Sequence, residues 1–150
     1  CRLYSTTVQL FSVCIRRLSG SIRFSMIRLG ATPEEPPIAW TTEYVDRSWQ
    51  DLIDEAKKAP DHLMIDVITR VKGKHCTEVR QTIEATTLTE EAAKNLRAET
   101  GAPCLRILRR YVSAHGKVIL TTVSYHPADR YAFNLNVRLD DDGVGRVIEA

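Results

Sequence analysis

Apolar and polar residues alternate along several stretches of this chain, and such alternation predicts β-strands. Residues 38–45 follow two prolines and are rich in β-branched and aromatic side chains, which favours a strand entered from a loop. The same reasoning predicts further strands over residues 77–87, 104–112, 118–125 and 130–139. The segment Ala114-His115-Gly116-Lys117 separates two of them and predicts the clearest hairpin.

Apolar residues at helical spacing predict two helices after the first strand. Ser48 is the expected N-cap of the first, and Pro60 is its expected stop. Asp61 is expected to cap the second helix, and Gly73 to end it in the left-handed conformation.

A third helix is predicted to start at Thr89 and to bury Ala92, Ala93 and Leu96, with Gly101 closing it. Strands dominate this pattern, the hairpins are antiparallel, and the helices fall between them. The predicted fold class is therefore α+β, with a mostly antiparallel sheet and flanking helices.

Composition and charge fit one ordinary domain of 150 residues with a net charge of +2. No acidic residue precedes Glu34, whereas the remainder of the chain is mildly acidic. Such a body is a poor surface for phosphate groups, which argues against direct DNA binding. The first thirty residues are rich in Arg and Ser and poor in acidic residues, superficially like a mitochondrial transit peptide, and we interpret this region as a poorly matched or truncated leading segment.

The cysteines give no sign of a metal site. Cys1, Cys14, Cys76 and Cys104 form no CxxC pair, and no histidine lies at zinc-finger spacing from them. We expect reduced thiols, no metal and no cofactor. No apolar run is long enough to span a membrane, so the expected location is the cytoplasm, without membrane contact.

A succession of short motifs carries a resemblance to a known family. In chain order they are Val79–Ala85 (VRQTIEA), Glu91–Ala93, Gly101–Arg106 (GAPCLR), His115–Val118 (HGKV), Ser124-Tyr125 and Asp129–Phe133 (DRYAF). In this order and spacing they resemble the second half of the UTRA (UbiC transcription regulator-associated) domain, the sensor module of HutC-subfamily GntR regulators. The resemblance covers residues 77–139. A weaker match through residues 37–40 and 43–45 resembles the first hairpin of that domain.

The resemblance implies a chorismate-lyase-like fold, a bound small-molecule effector and a homodimer. In the family this domain follows a winged helix-turn-helix. That patterning is absent here, so DNA would be contacted only through a winged-helix domain outside this sequence. The expected division is a leading segment over residues 1–25, a UTRA-like domain over residues 26–139, and an acidic, Gly-containing solvated tail over residues 140–150. The implied mechanism is allosteric, because the effector would favour one arrangement of the dimer.

Seven residues are candidates for holding the effector: Arg28, Glu43, Arg80, Glu84, Ser124, His126 and Tyr131. Arg28 falls near the position where family members place anion-binding arginines, although a surface arginine on an edge strand explains it equally well. Glu43 is expected on the strand face opposite Tyr44. There it either lines a pocket and needs a polar partner, or is exposed and needs none.

The other candidates lie on later strands. Arg80 and Glu84 are four residues apart on one strand face, where an ordinary cross-strand charge pair is the favoured interpretation. Ser124, His126 and Tyr131 fall where family pockets take hydroxyl and ring contacts. For Tyr131 a place in the core with its hydroxyl at the rim is equally credible, and His126 before a proline is most often a loop residue.

The sequence also bears on the class of effector and on two rival functions. Sugar-phosphate-sensing relatives carry a carboxylate on the strand before the Asp-Arg-Tyr element, where this chain has Thr121–Ser124. The sequence therefore favours a small organic acid. One rival is a structural dimerisation domain without a ligand, which exposed strand edges would favour. The other is a chorismate-lyase-like enzyme, which lacks support because His62, His75, His115 and His126 are scattered and no catalytic motif is present.

Overall fold

The chain is organised around one six-stranded antiparallel sheet in a computed structural model. The structure describes residues 16–18, 21–28, 34–58, 62–139 and 145–148. Its strands are β1 (Arg16–Leu18), β2 (Ser21–Arg28), β3 (Ala39–Asp46), β4 (Glu78–Thr87), β5 (Pro103–Val112), β6 (Val118–Pro127), β7 (Asn136–Leu139) and β8 (Gly145–Ile148). Its helices are α1 (Leu52–Lys58), α2 (Met64–Lys72) and α3 (Glu90–Leu96).

The strands of the large sheet follow the order β1-β2-β3-β6-β5-β4, so β3 and β6 lie at its centre and β4 at one edge. The predicted hairpin is confirmed, since β5 and β6 pair through the turn in which Gly116 has a φ of 72°. The fold is the predicted α+β class with a mainly antiparallel sheet. None of the described helices is long and apolar enough to cross a membrane.

The first two helices begin differently from the prediction. Asp46 caps a short 3-10 turn over Arg47–Trp49, and its carboxylate accepts a hydrogen bond of 2.9 Å from the backbone N–H of Ser48. Ser48 is not the N-cap of α1, because it lies inside this turn and its hydroxyl donates to the Asp46 carboxylate at 2.6 Å. Leu63 occupies the N-cap of α2 without a side-chain hydrogen bond, in place of Asp61, which lies outside the described residues.

The predicted end of α2 and the predicted start of α3 are confirmed, but the predicted end of α3 is wrong. Gly73 closes α2 with a φ of 60°, as predicted, and the Thr89 hydroxyl caps α3 by accepting from the N–H of Ala92 at 3.2 Å. The C-cap of α3 is Arg97, with a φ of 50°, and not Gly101. Gly101 lies in the following turn, where its N–H donates to the carbonyl of Leu88.

The C-terminal part also departs from the prediction. The strand expected over residues 130–139 begins only at Asn136, because Arg130 lies in a turn that its side chain anchors to other segments. Its partner is Gly145–Ile148, so a segment expected to be solvated tail forms a strand. Residues 37–40 and 43–45 form no hairpin of their own, since Ala39–Asp46 is a single strand paired with β2.

Two hydrophobic cores lie on opposite faces of the sheet. Helices α1 and α2 pack around Val45 and Leu120, whereas α3 packs around Trp40 and Cys104. Val45 and Trp40 are five positions apart on β3, so their side chains point to opposite faces. The face that carries α1 and α2 also presents the polar residues described next.

Candidate functional site

A row of polar side chains runs along the central strand β6. Thr122, Ser124 and His126 are all buried, and they alternate with residues that point to the other face. They lie on the same face of β6 as Leu120, which belongs to the core beneath α1 and α2. Buried polar side chains are uncommon on an interior strand, which makes this face the strongest candidate for a binding site.

Glu43 adds a carboxyl group to this row. It lies on β3 directly opposite Thr122, on the same face, and is only 5% exposed. Burial raises its pKa from 4.5 to about 8. Its Oε2 atom has no hydrogen-bond partner among the described residues. The alternative in which Glu43 is exposed is therefore wrong, and its side chain faces away from Tyr44, as predicted from the alternation of the strand.

Ser124 and His126 lie two residues apart on β6, whereas Tyr131 lies in the segment after β6 and outside any strand, so its expected place on the final strand is wrong. The Ser124 hydroxyl donates to the carbonyl of Ile107 at 3.4 Å. The rings of His126 and Tyr131 are in contact, with centroids 4.0 Å apart and planes inclined by 33°. His126 is buried on β6 and is therefore not a loop residue.

Arg109 and Tyr111 of β5 face the same side, and neither was among the predicted site residues. Arg109 lies opposite Thr122, and its Nε donates to the Gln81 side-chain oxygen at 2.5 Å. Burial raises the pKa of Tyr111, while the charge of Arg109 lowers it and that of Glu43 raises it further. One signal did exist in the sequence, since alternation with Leu105 and Ile107 places Arg109 on an otherwise apolar side.

Arg80 and Glu84 do not join this cluster. Both are exposed on β4, on the opposite sheet face. Arg80 pairs with Glu78 of its own strand at 2.7 Å, and Glu84 pairs with Arg106 of β5 at the same distance. For Glu84 this is the expected cross-strand pair. Arg28 lies on β2 opposite Ala39, and its side chain is outside the described part of the structure.

The sequence of this chain was compared with models of known protein families and with curated proteins. The model of the UTRA domain family matches residues 26–132. The chain belongs to the UTRA domain family. No sequence among curated proteins matches it.

Solved structures share the fold of this UTRA domain at low sequence identity. The ligand-binding domain of a putative GntR-family regulator from Bordetella bronchiseptica superposes with a TM-score of 0.70 at 11% identity, over 92% of this chain and 100% of that one. A GntR-family regulator from Enterococcus faecalis gives 0.65 at 18% identity, over 77% and 80%. The effector domain of PhnF from Mycobacterium smegmatis gives 0.62 at 15% identity, over 76% and 67%.

The UTRA domain also has a surface cavity of about 460 Å³ at the end of α3. Its lining includes Arg97, Glu99, Pro103, Asp129 and Arg130. None of the seven predicted effector residues lines it. We favour the buried row because its polar groups are withdrawn from water, whereas the cavity beside α3 is open and its arginines hydrogen-bond to backbone carbonyls.

The described residues of this UTRA domain contain no group of three His, Cys, Asp or Glu side chains placed to hold a metal ion. Cys76 and Cys104 are free thiols. Cys104 is buried against α3, and burial raises the pKa of its thiol. Cys104 is therefore a packing group, whereas the half-exposed thiol of Cys76 donates to the carbonyl of Glu78 at 3.2 Å.

Proposed function

We propose that this UTRA domain is the sensor of a GntR-type, HutC-subfamily transcription regulator. It binds a small metabolite through the face that carries Glu43, Thr122, Ser124, His126 and Tyr131, and it acts by binding, without catalysis. The buried carboxyl group of Glu43 beside this row supports the proposal best, because its Oε2 atom is withdrawn from water and has no hydrogen-bond partner among the described residues. The regulator would work in the cytoplasm.

The proposed mechanism couples this site to DNA through a dimer. The ligand would shift the equilibrium between two arrangements of a homodimer by its differential affinity for them. A winged-helix domain outside this sequence would then gain or lose the spacing that its operator requires. The favoured effector class is a small organic acid, since Arg109 supplies a cation and β6 supplies hydroxyl groups on one face.

A thermal-shift screen of the chain against organic acids, amino acids and sugar phosphates tests this function. Ligand at a hundredfold over its dissociation constant adds about 2.7 kcal/mol to native-state stability, which raises the unfolding midpoint. The shift should disappear in Ser124→Ala and Tyr131→Ala, and persist in Arg110→Gln, an exposed residue on the other face of β5. A shift that survives both site substitutions would move the binding site elsewhere.

A structural dimerisation domain without a ligand is a second candidate, and it is favoured by β4, which has no strand on its outer side among the described residues. This strand has ten residues, and its side chains are almost all exposed on both faces. An antiparallel pairing of two copies centred on Thr82 would place Arg80 of each opposite Glu84 of the other. Such isologous pairing gives hydrogen-bond partners to the backbone N–H and C=O groups of the edge strand and places opposite charges next to each other.

A further inference from the structure

A carboxyl group and a guanidinium group lie at the two ends of one row across the binding face. In register, Glu43 of β3 is opposite Thr122 of β6, and Thr122 is opposite Arg109 of β5. Neighbouring strands are about 4.8 Å apart, so the backbones of Glu43 and Arg109 are separated by roughly 10 Å. The hydroxyl-bearing Thr122 lies between them in the row, so one small molecule with two charged ends is the kind of ligand that could contact both side chains.

The Glu43 end of the row, once it is ionised, needs a hydrogen-bond donor. The residue is 5% exposed, and its Oε2 atom lacks a partner among the described residues. A buried carboxyl oxygen without a partner costs free energy that folded proteins rarely leave uncompensated. A ligand that brings an N–H donor would satisfy it, and a cationic nitrogen would do so most strongly.

The Arg109 end can bind an anion. Its guanidinium donates to the neutral side chain of Gln81 and lies close to Tyr111. Within the described residues, no carboxylate lies within ion-pair distance of it. Neutral partners use some of its five N–H donors but leave its charge uncompensated. A carboxylate accepts two parallel hydrogen bonds from such a fork.

We propose that the effector of this domain is a zwitterion, with a cationic nitrogen at Glu43 and a carboxylate or similar anion at Arg109. This inference rests on the proposed sensor function and narrows its ligand to amino-acid-like compounds. A simple organic acid satisfies only Arg109 and leaves the Glu43 oxygen without a donor. A simple amine leaves Arg109 without an anion.

Binding of such a ligand is linked to a proton. Burial holds the pKa of Glu43 at about 8, so the group is mostly protonated at neutral pH and must release its proton to pair with an ammonium group. The groups that face it are Arg109 and Tyr111 from β5 and Thr122 from β6, and Phe24 stands opposite in β2. Affinity should therefore rise about tenfold per pH unit up to about pH 8.

Titration calorimetry and thermal shift on the full chain test the proposal with matched probes. We would use β-alanine, γ-aminobutyrate and L-glutamine as zwitterions, with butyrate and butylamine as compounds that lack one charge. The variants are Glu43→Gln and Arg109→Gln, with Glu90→Gln and Arg110→Gln as exposed controls. Gln has the shape of a protonated Glu, so the folded state should survive, and circular dichroism verifies this.

The expected result is binding of zwitterions that weakens about tenfold or more in Glu43→Gln and in Arg109→Gln, and that is unchanged in both controls. The rise of affinity with pH should vanish in Glu43→Gln. Carbon-detected NMR of Glu43 gives a readout without a variant, because a saturating zwitterion should lower the pKa of this residue. Butyrate binding as tightly as γ-aminobutyrate, with no effect of Glu43→Gln, would overturn the zwitterion and leave the sensor function standing. No binding of any compound, in this set or in the wider screen, would overturn both.

Discussion

The guanidinium of Arg130 donates a hydrogen bond of 2.7 Å to the carbonyl oxygen of Leu96, the last residue of α3. The same nitrogen donates to the carbonyl of Pro37 at 2.9 Å, just before β3. Helices leave their last carbonyls without internal partners, and here one side chain supplies a donor. Arg130 thus joins α3, the entry to β3 and the end of β6.

We predict that Arg130→Ala lowers the free energy of unfolding by about 2–4 kcal/mol, because hydrogen bonds from a charged group are lost and carbonyls are left without donors. Arg130→Lys should lose less, since an ammonium group reaches fewer of the carbonyls. Urea denaturation measures both. Arg110→Ala is the control and should change stability little. Equal, small losses at both positions would show that Arg130 is not an anchor.

Glu43 predicts an unusual dependence of stability on pH. Its pKa of about 8 lies above the unfolded value of 4.5, so between these values the folded state binds a proton that the unfolded state releases. Stability should therefore fall as pH rises through this window, by on the order of 1.4 kcal/mol per unit from this group alone. Comparing urea unfolding of the wild type and Glu43→Gln from about pH 5 to about pH 8 isolates the contribution, since the variant lacks it. Parallel curves for the two proteins would contradict the assignment.

Two apolar residues near the two ends of β4, one within the strand and one directly after it, should respond very differently to truncation. Leu88 is 2% exposed in the core beneath α3, and Val79 is 51% exposed on β4. We expect Leu88→Ala to cost about 2–5 kcal/mol of stability, since it removes buried methyl groups and leaves a cavity. Val79→Ala should change stability by no more than about 0.5 kcal/mol. Denaturant midpoints measure both, and a large loss at Val79 would indicate that the face of β4 is covered in solution.

The edge pairing of β4 predicts a charge-swap result. If two copies pair through this strand centred on Thr82, Arg80→Glu should weaken the dimer by placing like charges opposite each other. Combining it with Glu84→Arg should restore the dimer. Sedimentation velocity of the two single variants and the double variant gives the association constants. An unchanged dimer in all three would place the interface elsewhere.

Helix ends that depend on short-range interactions could be predicted from the sequence, whereas ends that depend on long-range contacts could not. Thr89 and Gly73 were predicted correctly because capping hydroxyls and left-handed glycines act within a few residues. Arg97 was missed as the end of α3 because a non-glycine residue there is held by contacts far along the chain, including one to the carbonyl of Glu35. The late start of β7 has the same origin, since Arg130 is held by Pro37 and Leu96.

The candidate site was predictable only in part. Strand alternation alone placed Glu43 away from Tyr44, and the order of motifs brought Ser124 and Tyr131 into one region. The relation of Glu43 to Thr122 and Arg109 depends on strand order and register, which no local pattern encodes. For Arg80 and Glu84 the sequence placed both on one face but gave no sign that this face is turned away from Glu43.

The two central strands have a mechanical consequence. β3 contributes Val45 to one core and Trp40 to the other, and β6 does the same with Leu120 and with Tyr125, whose ring stacks on Trp40 at 5.9 Å. Each of these strands is packed into one core at one end and into the core on the opposite face at the other end. It therefore cannot tilt toward either helix layer without opening a gap at the opposite end. Close-packed interiors resist such gaps. A ligand bound on this sheet would therefore move the sheet as a rigid body and not bend it. The conformational change would reach neighbouring parts of the protein through the edges of the sheet and not through its centre.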